Sequence, residues 1–295
     1  MSSLVLSGIL PALTTPFTAD AEAVDEAALQ ALVQRLVSAG VGGLIPCGST
    51  GQYGALTADE RRRVTELVVD AAAGAVPVVP HVGASTTAAA VALAEHAKSA
   101  GASAVMATPP AGVGWDGVLA HYRAIAGATD LPVMLYHIPE ATGQTFSAEQ
   151  IAELAQIDNV RYMKDSSGDF ALVTELIQRP PHGLEVFNGS DSLTFAGLAA
   201  GAGASVWGMA NFIPNQAVAL HRAIAVDKDL EKAREIWSKI WPVCRLVDTH
   251  DDYVSAVKAA CEVVGIQVGP SRRPAIAPDA AFMAELRETL AIAAS

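Results

Sequence analysis

Short apolar runs alternate along this chain with longer segments in which apolar residues recur every third or fourth position. The runs at 9–14, 43–47, 76–82, 104–108, 133–137, 160–164, 185–188 and 204–208 read as strands. The amphipathic segments at 25–39, 57–73, 86–100, 115–128, 147–155, 170–178, 192–200 and 214–226 predict helices. Thr57-Ala58-Asp59-Glu60 and Ser147-Ala148-Glu149-Gln150 are capping boxes. Gly40, Gly74 and Gly101 stand where a glycine just past a helix ends it. Eight strand–helix units in this rhythm predict an α/β chain closed into a (β/α)8 TIM barrel over residues 1–226. An open doubly wound sheet would place a glycine-rich nucleotide loop after the first strand, whereas Thr14-Thr15-Pro16-Phe17 follows here. Residues 227–295 are expected to form a C-terminal helical appendage, with helices near 230–246, 253–264 and 279–292 and no low-complexity linker before them.

Composition narrows the partners. The chain has 295 residues, a formal net charge of -12 and a pI near 4.9. That balance argues against nucleic acid or an anionic membrane. It also means that an anionic substrate must be held by local donors. Cys47, Cys244 and Cys261 share no metal or redox spacing and suit a reducing compartment. No basic residue precedes Arg35, so a secretory signal is not expected, and no apolar run reaches the roughly 20 residues that span a bilayer. The expectation is a cytoplasmic protein.

Candidate chemistry gathers at the C-terminal ends of the strands, where barrel enzymes place their sites. Strand six ends in Tyr162-Met163-Lys164-Asp165-Ser166-Ser167-Gly168, with one lysine closing an apolar run. Desolvation lowers a lysine's pKa and leaves the neutral amine that attacks a ketone carbon. Alternation turns Lys164 and Tyr162 to the same side, and a Tyr136 facing inward on strand five would stand beside the lysine. A phenol next to an amine can carry the protons that imine formation moves. Strand two ends in Gly48-Ser49-Thr50-Gly51, whose hydroxyls and unhindered N–H groups make a cradle for a carboxylate, or equally for a phosphate. Amine, phenol and cradle together suit a 2-keto acid.

These motifs, with Leu135-Tyr136-His137-Ile138-Pro139, occur in an order and spacing that resemble the dihydrodipicolinate synthase/N-acetylneuraminate lyase family. Pro16-Phe17, Gly189-Ser190-Asp191, Ala210-Asn211 and Val257-Lys258-Ala259-Ala260 extend the resemblance over nearly the whole chain. The resemblance implies a homotetrameric barrel lyase with no metal or organic cofactor. In it Lys164 would form an imine with pyruvate or a longer 2-keto acid, and Tyr136 would relay protons. Ser49 and Thr50, with Gly48, would hold the keto-acid carboxylate, and Gly189 and Val206 would line the substrate.

Three departures bear on the substrate. The arginine with which the lysine-precursor synthases grip their second substrate is replaced by Ala141, next to Glu140. No guanidinium fork is therefore available at that place. The tyrosine that relatives lend to a neighbouring subunit's relay is replaced by Ala111, within Thr108-Pro109-Pro110-Ala111-Gly112. A glutamate is replaced by Gln52 and an asparagine by His137. The expected reaction is reversible aldol cleavage of a 2-keto-3-deoxy sugar acid, or a related hydroxy-keto acid, to pyruvate and an aldehyde. Dihydrodipicolinate synthesis, dehydration of a 2-keto-3-deoxy acid, and keto-acid binding without turnover are the alternatives.

Other residues read more simply. His81 is expected to be a satisfied strand-end histidine rather than a substrate contact, and Trp207 and Met209 to be core filler. The aspartates of Asp248-Thr249-His250-Asp251-Asp252 read as helix caps and dipole partners rather than metal ligands. No His-x-His follows the first strand, which disfavours a metal-dependent hydrolase barrel.

Overall fold

The computed structural model of the protein describes residues 4–295. Six strands pair in parallel: β1 Gly8–Pro11, β2 Val105–Ala107, β3 Val133–His137, β4 Val160–Asp165, β5 Glu185–Asn188 and β6 Ala204–Trp207, in the order β1-β6-β5-β4-β3-β2. The two expected strands at 43–47 and 76–82 form isolated parallel bridges instead of ladders, at Ala12–Ile45, Leu44–Val78 and His81–Met106. Backbone bonds such as Ile45 N–H to Pro11 O (2.9 Å), Val79 N–H to Leu44 O (2.8 Å) and Val82 N–H to Met106 O (2.7 Å) nevertheless close the ring into eight staves. The reason for the broken ladders is chemical. Pro46, Pro77 and Pro80 fall in these stretches and Pro11 ends the neighbouring β1, and each lacks an N–H that a continuous ladder would need.

Alternation along the staves sorts the core. Leu10, Ile45, Val79, Met106, Met134, Tyr136, Tyr162, Phe187 and Val206 fill the barrel interior. Their neighbours Leu135, Met163, Val186 and Trp207 turn outward against the helices. Those helices are α1 Glu26–Ser38, α2 Ala58–Ala72, α3 Thr87–Ser99, α4 Trp115–Ala128, α5 Pro139–Thr142, α6 Ala148–Leu154, α7 Phe170–Gln178, α8 Thr194–Ala199 and α9 Pro214–His221. Both capping boxes form, each with reciprocal bonds. Gly40, Gly74 and Gly101 take φ values of 85°, 74° and 88°, the left-handed conformation that ends a helix without a Cβ clash. The segment expected as one helix over 214–226 changes from α9 to a single π turn at Arg222–Val226.

Three more helices follow: α10 Leu230–Asp248, α11 Tyr253–Val263 and α12 Ala280–Ala293. Their buried residues Ile240, Val243, Val257 and Leu286 share one apolar cluster with Leu13, Leu29, Trp207 and Phe212 of the barrel wall. That shared core brings the start of α11 to the mouth of the barrel. Among the described residues no helix is long and apolar enough to cross a membrane.

Candidate active site

Register places the two leading candidates side by side. In the β3–β4 ladder Tyr136 lies opposite Lys164. Both turn into the barrel, Lys164 being 5% exposed and Tyr136 3%. Lys164 Nζ stands 4.0 Å from the centroid of the Tyr136 ring. Tyr162 lies one turn of the pleat deeper, as expected, and donates its hydroxyl to Leu4 O at 2.6 Å. Gly189 leaves the lysine its path: a Cβ there would overlap Lys164 Cε and come within 2.7 Å of Lys164 Cγ. Val206 is buried in the interior cluster with Tyr136.

The Gly48–Gly51 turn is more committed to itself than its sequence suggests. Gly51 N–H and Tyr53 N–H bond Gly48 O (3.1 and 3.3 Å), and Gln52 N–H bonds Ser49 O (2.9 Å). These three donors point back into the turn, which leaves the half-buried Ser49 and the buried Thr50 to offer an anion their hydroxyls and N–H groups. Gly51 lies against Leu13 O, 2.9 Å from where its Cβ would be, so only glycine lets this turn lie flat on the first stave. A Cβ at Gly48 would meet Met106 Cε at 3.8 Å, an ordinary contact.

His81 behaves as the strand-end histidine expected. Its Nδ1 lies 3.1 Å from Cys47 O and its Nε2 3.2 Å from Thr108 Oγ1. Cys47 O can only accept, so Nδ1 carries the proton and the threonine hydroxyl donates to Nε2. Burial first, then the Arg61 guanidinium, hold this imidazole down at about 3, so it stays neutral. Trp207 and Met209 are both fully buried on the outer side of the wall. Asp252 caps α11 by accepting from Ser255 N–H at 3.1 Å. Among the described residues no three His, Cys, Asp or Glu side chains come together as a metal-ligand set.

One pair at the mouth escaped sequence reasoning. Tyr253, the first residue of α11, donates its hydroxyl to Asp191 Oδ2 at 2.6 Å, while Asp191 Oδ1 accepts from Gly208 N–H at 3.3 Å. Gly208 has no room for a side chain, because its Cβ would overlap Tyr253 Oη and lie 3.3 Å from Thr50 Oγ1. A phenol from the appendage thus sits over strand end β6, beside the anion cradle. Burial, and then the Asp248 carboxylate, push Asp191 up to about 7. Asp191 was visible as a carboxylate at a strand end, but Tyr253 lies 62 residues further along and nothing local marks it.

Ala111 and Ala141 are both exposed, in loops at the same mouth, and Ala141 lies in the single turn of α5 beside the exposed Glu140. The site therefore joins an amine, a phenol, a carboxyl and a hydroxyl cradle, without a cation at position 141.

The whole chain compares closely with known proteins. Residues 5–293 match the model of the dihydrodipicolinate synthetase family. A DapA-like lyase of Halobacterium salinarum is 40% identical over 92% of this chain and 88% of its own length. A 4-hydroxy-tetrahydrodipicolinate synthase of Methanopyrus kandleri is 35% identical over 91% and 90%. A crystal structure of a dihydrodipicolinate synthetase from Pseudomonas aeruginosa superposes with a TM-score of 0.93 at 32% identity, covering 98% of this chain and 100% of that one. A prophage protein of the dihydrodipicolinic acid synthase family from E. coli K12, solved in complex with pyruvate, superposes at 0.92 with 28% identity over 99% of both chains. The chain therefore belongs to the dihydrodipicolinate synthetase family.

Proposed function

We propose that this chain cleaves, reversibly, a 2-keto-3-deoxy sugar acid or a related hydroxy-keto acid to pyruvate and an aldehyde. The observation that carries the reading is Lys164 Nζ held 4.0 Å over the Tyr136 ring inside a closed barrel. Ser49 and Thr50 receive the keto-acid carboxylate. The Lys164 amine adds to the keto carbon, and Tyr136 passes the protons that let water leave and the imine form. When the C3–C4 bond breaks, its electron pair enters the protonated imine. The Tyr136 phenolate, left when it protonates the departing water, takes the C4 hydroxyl's proton as the aldehyde departs. The enamine left behind takes a proton at C3, and water returns to free pyruvate and Lys164. Gly189 keeps the lysine's path open, and Val206 forms part of the floor.

Position 141 favours a neutral aldehyde over an acidic one, since an exposed alanine next to Glu140 offers a carboxylate no partner. The second reading is the synthase reaction of pyruvate with aspartate semialdehyde, favoured by the likeness to the 4-hydroxy-tetrahydrodipicolinate synthase of Methanopyrus kandleri. Dehydration of a 2-keto-3-deoxy acid would start from the same imine. A cytoplasmic homotetramer belongs to this proposal, and the three free, buried cysteines suit a reducing compartment.

Borohydride trapping with pyruvate, followed by peptide mass mapping, tests the reading. A reduced adduct on Lys164, absent in Lys164→Ala, is the expected result, with pyruvate released from 2-keto-3-deoxygluconate faster than aspartate semialdehyde is consumed. An adduct only with longer keto acids would favour the dehydratase. No adduct with any keto acid would leave a binding protein without turnover.

A further inference from the structure

The Lys164–Tyr136 pair has a counterpart on the other face of the same two strands. His137 lies opposite Asp165 in the register, one residue beyond Tyr136 and Lys164. Alternation turns this second pair outward. His137 Nδ1 and Asp165 Oδ2 are 2.6 Å apart, and both side chains are 1% exposed. Phe146 N–H donates to His137 Nε2 at 3.1 Å. A ring nitrogen that accepts carries no proton, so Nδ1 holds it and donates to Asp165. Asp165 Oδ1 in turn accepts from Ser167 N–H and Ser167 Oγ at 3.0 and 2.7 Å. The imidazole also stacks on the Phe146 ring, with centroids 5.1 Å apart and planes 13° off parallel.

Between His137 and Phe146 runs the loop that carries Glu140 and Ala141. Its local support is the single turn of α5, closed by Gly143 at φ 66°, and the Thr142 hydroxyl, which donates to Ile138 O at 2.9 Å and accepts from Gln144 N–H at 3.2 Å. From the same loop Gln144 Nε2 donates to Val113 O at 2.8 Å, which ties it to the loop that carries Ala111. Both stretches that depart from the family's substrate groups are thus joined to each other, and through His137 to the strand of Lys164.

We propose that His137 is a positioning residue that holds the 138–146 loop in register with Lys164 and so sets the affinity for the aldehyde half of the substrate. The inference rests on the imine chemistry proposed above for Lys164. Its physical basis is that the buried Phe146 N–H has His137 Nε2 as its acceptor. Without that acceptor the loop must move to find water, and the entrance moves with it.

Two substitutions separate the two halves of the device. An asparagine amide nitrogen falls where His137 Nδ1 lies, so His137→Asn keeps the donor to Asp165 and removes the acceptor for Phe146 N–H. A glutamine amide oxygen falls where Nε2 lies, so His137→Gln keeps that acceptor. Combining it with Asp165→Asn avoids leaving a buried carboxylate unpaired. The wild type, His137→Asn and the double variant would be compared by borohydride trapping of pyruvate, by KM for D-glyceraldehyde at saturating pyruvate, and by amide hydrogen exchange over 138–146.

For His137→Asn the expected result is unchanged trapping and kcat, faster exchange across the loop, and an aldehyde KM raised about fivefold, the equivalent of one lost hydrogen bond. The double variant should return exchange and KM to wild-type values. Wild-type exchange and KM in His137→Asn would overturn the proposal. So would a double variant that folds yet behaves like His137→Asn. Failure to trap pyruvate in the wild type would instead overturn the imine reading and the aldehyde claim that rests on it, while loop exchange would still decide whether His137 is the anchor.

Discussion

Gly189 lacks a Cβ in the place where the Lys164 side chain runs from its strand to the barrel mouth. The lysine is thereby set by its neighbour's emptiness as much as by its own strand. Gly189→Ala should force Lys164 off its path while the barrel persists, since one added methyl in a packed region costs about 1–3 kcal/mol. Misplacing a nucleophile by an ångström costs about a hundredfold in rate. Initial rates of pyruvate trapping, with circular dichroism as the control for folding, check this; a variant trapping at the wild-type rate would show that the lysine has room to spare. Lys164, Tyr136, Ser49 and Thr50 each sit at a strand end or turn within a local motif, so their places along the chain were legible, while the roles proposed for them came from the family resemblance. Tyr253 has no local mark and reaches Asp191 only because α11 packs over the mouth.

Among the elements, the segment after α11 does most to fasten the anion-cradle turn to the rest of the fold. Gln52 Nε2 donates to Arg272 O at 3.3 Å, and Arg272 N–H returns a bond to Gln52 Oε1 at 3.2 Å. The Arg272 guanidinium forks onto Glu60 at 2.6 and 2.9 Å and also donates to Ala21 O, Glu22 O and Ala55 O. It lies 4.4 Å from the centroid of Phe17, whose ring also receives Lys258 Nζ at 4.2 Å. Gln52, one of the departures from the family pattern, is therefore committed to holding the chain's C-terminal segment. Arg272→Lys retains the charge but loses the planar fork, and should destabilise the fold by about 2 kcal/mol. Urea unfolding with an unchanged m-value checks it, and a loss below about 0.5 kcal/mol would mean that the fork is dispensable.

Taken as a whole molecule, the protein sets buried groups of opposite sign against each other. His81 is held down at about 3 against an ordinary 6.5, so its contribution is present above pH 6.5 and is lost as pH falls through about 3. Asp191 is pushed up to about 7 against an ordinary 3.8, so its contribution is present below pH 3.8 and is lost as pH rises through about 7. Glu60, held down at about 2 by the Arg272 fork, adds a loss below its ordinary 4.5. Between pH 4.5 and 6.5 the histidine and aspartate slopes oppose, and the melting temperature should be nearly flat. Asp191→Asn removes one slope, so its melting temperature should rise with pH across that window. Calorimetric scans of both proteins test this, and parallel curves would show that Asp191 does not titrate as described.

Across the chain, the eight-fold rhythm, the caps of α2 and α6, and the order of the motifs were decided by the sequence alone. Each of these depends on residues close together along the chain, where periodicity, a capping hydroxyl or a turn glycine acts within a few bonds. The prolines at 11, 46, 77 and 80 were equally visible, yet only ring closure showed that two staves survive as bridges rather than ladders. Tertiary structure alone decided which atoms meet across those staves: the lysine over the phenol, His137 between Asp165 and Phe146, and Tyr253 on Asp191. Such pairings are set by barrel register and by which helix packs over the mouth, and these follow from burying one shared core rather than from any local stretch of residues.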